Sequence, residues 1–145
     1  HGVTAPGING PLETALYAED LDRAEDFYGR VLGLPVIAKV AGRHVFFRSG
    51  RSVLLIFNPA ATQRPPPEGA PLPVPPHGAH GAGHHCFAVD GNTLDGWRRH
   101  LQAEGVAIEA DFVWPNGARS IYVRDPDGNS IEFADPALWG LTESQ

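Results

Sequence analysis

The residues of this chain able to bind a metal or move a proton are seven histidines, 17 acidic side chains and one cysteine. Four of the histidines, His77, His80, His84 and His85, crowd into one stretch. His77 and His80 stand among prolines and glycines with no regular scaffold, which reads as solvated or substrate-facing rather than as metal ligation. His84 and His85 are neighbours on a strand-like segment and therefore face opposite sides. Cys86 has no cysteine partner for an internal disulfide, and nothing beside it marks it as an activated nucleophile. Taken alone, Glu13 reads as an exposed edge-strand carboxylate, His84 as a loop-end or core histidine and Glu132 as a surface strand residue. The residue types permit a metal centre without requiring one.

The elements that must position these groups come in a repeated order. Leu12 to Ala18 alternates like a half-buried strand. Asp20 can cap a helix whose apolar positions are Leu21, Ala24, Phe27, Tyr28, Val31 and Leu32, ending at Gly33. Three short strands follow at about 35–40, 43–48 and 52–57, separated by glycine turns. Residues 58–83 form a proline-rich loop, unsuited to helix or central strand, with the character of a lid. The order then returns. His84 to Asp90 is a strand, Asn92 can cap a helix through Leu94, Trp97 and Leu101 to Gly105, and strands follow at about 106–113, 118–124 and 129–134. Asp125-Pro126-Asp127-Gly128-Asn129 is a strong hairpin turn. The chain thus divides into a first βαβββ module at 12–57, the loop at 58–83 and a second module at 84–134. An internal repeat of this kind decides an α+β fold more firmly than any single motif.

Composition excludes several classes. A net charge of −6 argues against non-specific nucleic-acid binding, and the adjacent pair Arg98 and Arg99 reads as a solvated helix face. The longest apolar run, Val53 to Phe57, is far short of a membrane helix. Residues 1–12 lack the pattern of a secretory signal, so a cytoplasmic protein is expected.

Three segments carry a family resemblance. Residues 12–34 (LETALYAEDLDRAEDFYGRVLGL) are similar to the opening of a vicinal-oxygen-chelate module, Gly83 to Asp90 (GHHCFAVD) to the opening of the second module, and Tyr122 to Glu132 (YVRDPDGNSIE) to its ending. Each motif is weak alone, and the three in order are a strong signal. The chain is therefore identified as a member of the glyoxalase/bleomycin resistance protein/extradiol dioxygenase superfamily over about residues 12–134. The resemblance implies two βαβββ modules forming a cupped mixed sheet around a divalent metal, and a homodimer in which sites are completed across chains. It assigns the metal ligands to Glu13, His84 and Glu132. It also implies a fourth ligand, in the glyoxalase I branch, on the last strand of the first module, where Leu54 and Leu55 offer no donor.

One imidazole and two carboxylates resemble the facial sets that hold Fe(II) or Mn(II) with open positions, and Zn(II) or Ni(II) also accept such donors. Strand parity agrees: Glu13 shares a face with Ala15 and Tyr17, His84 with Cys86 and Ala88, and Glu132 with Ser130 and Ala134. Parity also places Ser120 and Tyr122 beside Glu132, with Tyr122 as a hydrogen-bond donor or acid, and aligns His44, Phe46 and Arg48 as a substrate-facing row. Trp114 and Arg119 flank a turn and read as a gate. The function expected is a metal-dependent lyase or dioxygenase in which vicinal oxygens of a small substrate chelate the ion, with Glu132 and Tyr122 catalytic. Two alternatives stand beside it. One is a metal-free sequestering protein similar to bleomycin-resistance proteins, for which the acidic charge and Trp97, Trp114 and Trp139 would serve. The other is a fosfomycin-type thiol transferase.

Overall fold

The computed structural model describes residues 4–141, and there the chain forms two four-stranded mixed sheets, each carrying its own helix. The first module runs β1 (Glu13–Tyr17), α1 (Leu21–Glu25), β2 (Val36–Val40), β3 (His44–Ser49) and β4 (Ser52–Phe57). A short α2 (Pro59–Thr62) opens the connecting loop. The second module runs β5 (His84–Ala88), α3 (Leu94–Ala103), β6 (Ala110–Val113), β7 (Arg119–Arg124) and β8 (Ser130–Ala134). Strand order is β1-β4-β3-β2 in one sheet and β5-β8-β7-β6 in the other. The first and last strands of each module pair parallel and the rest antiparallel.

The two sheets share one register. Glu13 pairs across to Val53 and Arg48 as His84 pairs to Ser130 and Arg124. Ala15, Leu55 and Phe46 occupy the row that Cys86, Glu132 and Tyr122 occupy in the second sheet. Tyr17, Phe57 and His44 match Ala88, Ala134 and Ser120. Leu55 is therefore the counterpart of Glu132.

Alternation sorts these rows from the core. Leu16, Val45, Phe47, Leu54 and Ile56 of the first sheet and Phe87, Ile121, Val123, Ile131 and Phe133 of the second form one buried cluster with the helices. The residues between them in sequence form the opposite, open face of each sheet, whose inner part, with Leu55, Phe57, Ser120 and Glu132, is itself buried. Trp97 stacks on Phe133 at 5.0 Å, behind the second sheet, so it does not contribute to an open aromatic cleft.

Asp20 caps α1 as its sequence suggests, accepting from the backbone N–H groups of Asp22 and Arg23. The helix does not continue as a regular α-helix to Leu32. It widens into a π-helical turn over Asp26–Val31, with Leu32 N donating to the Phe27 carbonyl at 2.9 Å. The extra residue in the turn lets the sequence neighbours Phe27 and Tyr28 both reach the core. The second helix also starts differently: Asn92 lies inside a 3-10 turn (Gly91–Thr93), and the cap expected of it is not made. The sixth strand begins only at Ala110, because Val106 is held back by its N–H bond to the Leu101 carbonyl at the helix end.

The hairpin motif after β7 does more than turn the chain. The buried Asp125 carboxylate accepts from Tyr28 Oη at 2.6 Å, Asn129 Nδ2 at 2.8 Å, and the N–H groups of Asp127 and Asn129 at 2.9 Å. Burial and the Asp125 charge raise the Tyr28 phenol well above its ordinary range, so it stays a donor. Asn129 Oδ1 accepts from Gly83 N at 2.8 Å, and Ser130 N donates to the Gly83 carbonyl at 2.9 Å. One turn thus fastens the first helix, the end of the loop and the start of β5 together. No helix among the described residues is long and apolar enough to cross a membrane.

Candidate functional site

Two of the three expected ligands meet on the open face of the second sheet. Position 84 opens β5, where the Asn129 and Ser130 contacts fix the backbone, and position 132 lies mid-strand on β8. His84 Nε2 stands 3.3 Å from Glu132 Oε1. The imidazole is half exposed while the carboxylate is 7% exposed.

His84 Nδ1 lies 3.0 Å from the Ser130 carbonyl, an oxygen that can only accept. A proton is therefore on Nδ1, and Nε2 faces Glu132 Oε1. A metal-bound histidine is held this way, its second nitrogen donating to a backbone carbonyl. Glu132 Oε2 accepts from Ser120 Oγ at 2.6 Å, and that hydroxyl accepts from the Trp114 indole N–H at 2.8 Å. One imidazole nitrogen and one carboxylate oxygen remain directed at the same space, a donor set that fits a divalent cation.

Tyr122 shares the site. Its ring lies 6.1 Å from His84, tilted by 24°, and 5.8 Å from Phe112, nearly parallel. Desolvation and the neighbouring Glu132 charge raise the phenol above its ordinary range, so at neutral pH it carries its proton. Cys86 faces Glu132 across the strand pair, and desolvation together with that carboxylate pushes its thiol up to about 12.

Glu13 lies elsewhere. It is exposed on β1 of the first sheet, in a row with Val53 and Arg48. Among the described residues no three His, Cys, Asp or Glu side chains converge as a metal-sized cluster within one chain. His44, Phe46 and Arg48 share the same open face. His44 stacks on Phe46 at 4.0 Å and meets Phe57 edge-on at 5.8 Å. Its Nδ1 is buried without a hydrogen-bond partner, and burial, with Arg43 nearby, lowers its pKa below the ordinary histidine value.

The loop histidines depart from the sequence reading. His77 has a scaffold: its N–H donates to the Thr62 carbonyl, Nδ1 is hydrogen-bonded to Tyr17 Oη at 2.8 Å, and its ring meets Phe57 at 4.6 Å. His80 bonds Gln63 at 3.1 Å. The proline-rich segment is thereby strapped over one end of the first sheet's open face. Arg119 is not a gate either. It is tied to Asp111 and Asp95, and Asp111, also paired with Arg98, is held down to about 2.

Sequence reasoning missed the link from Trp114 to Glu132. The available signal was parity: 110, 112 and 114 alternate toward the face that Ser120 and Tyr122 occupy across the hairpin.

Comparison with known proteins agrees with this architecture. Residues 10–133 match the model of the Glyoxalase/Bleomycin resistance protein/Dioxygenase superfamily. The chain is 31% identical over 119 residues to the glyoxalase domain-containing protein RDO1 of Mycosarcoma maydis, covering 79% of this chain but only 61% of that relative. A structure described as lactoylglutathione lyase from Agrobacterium tumefaciens superposes with a TM-score of 0.88 at 43% identity, covering 94% of this chain and 100% of the other. A glyoxalase/dioxygenase structure from Nostoc punctiforme gives 0.66 at 26% identity, over 94% and 98% of the two chains.

Proposed function

Since the chain belongs to the Glyoxalase/Bleomycin resistance protein/Dioxygenase superfamily, we propose that it is a metal-dependent enzyme, of lyase or dioxygenase type, acting on a small substrate with adjacent oxygens. The observation that carries this reading is the His84–Glu132 pair, with one donor atom of each anchored and the other two, His84 Nε2 and Glu132 Oε1, 3.3 Å apart. A divalent ion held there would act as a Lewis acid on substrate oxygens. Glu13 of a second copy supplies the third donor in this reading, because Glu13 is exposed on the other sheet and the pair lacks a third partner within its own chain. Tyr122 donates a hydrogen bond to a substrate oxygen. The centre of the first sheet's open face, with the row of His44, Phe46 and Arg48, covers the substrate's remaining surface.

The relative at 43% identity described as a lactoylglutathione lyase favours lyase chemistry. Leu55 departs from a four-ligand site of the glyoxalase I kind, since it stands at the register twin of Glu132 with no donor atom. Reaction on a glutathione adduct is therefore not the activity we favour.

Metal content by plasma mass spectrometry tests the proposal. About one divalent ion per chain is expected in the wild type, with loss in Glu132→Ala and in Glu13→Ala. Refolding those two variants together should restore about a quarter of the wild-type sites, because each mixed dimer rebuilds one intact site. No recovery on mixing would place Glu13 outside a shared site. No metal in the wild type after reconstitution would overturn the enzyme reading and favour ligand sequestration.

A further inference from the structure

The Trp114–Ser120–Glu132 chain has a direction that chemistry fixes. An indole nitrogen can only donate, so Trp114 Nε1–H points at Ser120 Oγ over 2.8 Å. A hydroxyl has one proton, and a carboxylate can only accept, so that proton goes to Glu132 Oε2 over 2.6 Å. Ser120 is fully buried. With one lone pair taken by the indole, its hydroxyl has no reason to rotate away.

The outer end of the chain is firm. Trp114 N donates to the Ala118 carbonyl at 2.7 Å, Gly117 N donates to the Trp114 carbonyl at 2.9 Å, and the indole meets Phe112 edge-on at 4.8 Å. Asn116 Nδ2 ties the same turn to the Leu138 carbonyl at 3.0 Å.

We propose that Trp114 is a positioning residue for Glu132, acting through Ser120 to hold Oε2 and thereby orient Oε1 toward His84 Nε2. This rests on the metal-site reading above. A carboxylate held so would be oriented to present Oε1, beside His84 Nε2, to an ion. Groups that orient a metal ligand from behind change affinity by about 10–100-fold when removed.

The test compares Trp114→Phe, Ser120→Ala, Ser120→Thr and the Trp114→Phe/Ser120→Ala double variant in the full chain. Zn(II) affinity is measured by competition with a chromophoric chelator, and the visible spectrum of the Co(II)-loaded protein reports coordination. Ser120→Ala should bind Zn(II) about 10–100-fold more weakly. Trp114→Phe should weaken binding by a smaller factor and alter the Co(II) spectrum. Ser120→Thr, which keeps the hydroxyl, should stay near wild type. The double variant should match Ser120→Ala alone, since Trp114 acts only through that hydroxyl. Wild-type affinity and an unchanged Co(II) spectrum in Trp114→Phe would overturn the proposal, as would full additivity in the double variant.

A metal-free readout separates this from failure of the metal reading. In the apo protein, Ser120→Ala should shift the Trp114 indole N–H resonance and speed its exchange with solvent. An unmoved resonance means that the relay does not exist, whatever the metal result.

Discussion

The open faces of the two sheets are built on one register and carry opposite chemistry. The central row of the second sheet is Cys86, Glu132 and Tyr122, and its carboxylate is gripped from behind by Ser120 and Trp114. The same row of the first sheet is Ala15, Leu55 and Phe46, and its neighbours Tyr17, His44, Phe57 and His77 pack ring against ring. The helix-facing sides of both sheets remain alike, apolar and merged in one core. The repeat is thus alike in the half that holds the fold and divided on the opposite faces. A polar site needs every buried donor and acceptor matched, which one sheet supplies. The other carries aromatic and aliphatic side chains at its centre and polar ones, Glu13 and Arg48, at its end.

Exchanging twins breaks this comparison most sharply. Glu132→Ala should abolish metal uptake and turnover, while Leu55→Ala should retain the metal and lose about 2 kcal/mol of stability, read by urea unfolding. Equal loss of metal in both would show that the division of labour is wrong. Leu55→Glu should destabilise the metal-free protein by about 1–3 kcal/mol, because no serine stands behind the new carboxylate: His44 occupies the place of Ser120. Added metal should then raise its Tm more than it raises that of the wild type.

At the seam between modules, Asp125→Ala removes the acceptor of Tyr28 Oη, of Asn129 Nδ2 and of the Asp127 and Asn129 N–H groups, at a cost of about 3 kcal/mol. For a domain of this size Tm should fall by about 10 °C, measured by calorimetry, against little change for the exposed Glu109→Ala.

A smaller, cleaner contrast compares the aromatic twins. Tyr122→Phe should lower kcat by about 100-fold at unchanged metal content. Phe46→Ala should act mainly on KM. A reversed pattern would assign the proton donor to the wrong sheet.

The smallest effect is in pH dependence. Burial lowers the His44 pKa in the folded chain, and the same cause acts on His85. The unfolded chain therefore binds protons first, and stability is greatest above the ordinary histidine pKa of about 6.5 and falls as pH drops through that value toward the folded pKa. His44→Phe should flatten the pH dependence of the urea midpoint between about pH 8 and 5. An unchanged slope would show that His44 titrates as it does in the unfolded chain.

Strand parity, helix periodicity and the turn motif are local properties, and they made the two βαβββ units and the facing of Glu13, His84 and Glu132 legible from the sequence. The π-helical turn was not, and the contact Tyr28 makes from it is to Asp125, far along the chain. The scaffold under His77 was hidden for the same reason, since Tyr17 and Phe57 are brought to it only by folding. Asp125 and Asn129 read as turn residues, whereas their side chains clamp two modules. The sequence by itself determined which residues share a face, because side-chain period follows from backbone geometry alone. Only the tertiary structure decided which oxygen of Glu132 takes the Ser120 hydroxyl and which nitrogen of His84 faces that carboxylate. Those are matters of a few ångströms between residues distant in sequence, and packing alone sets them.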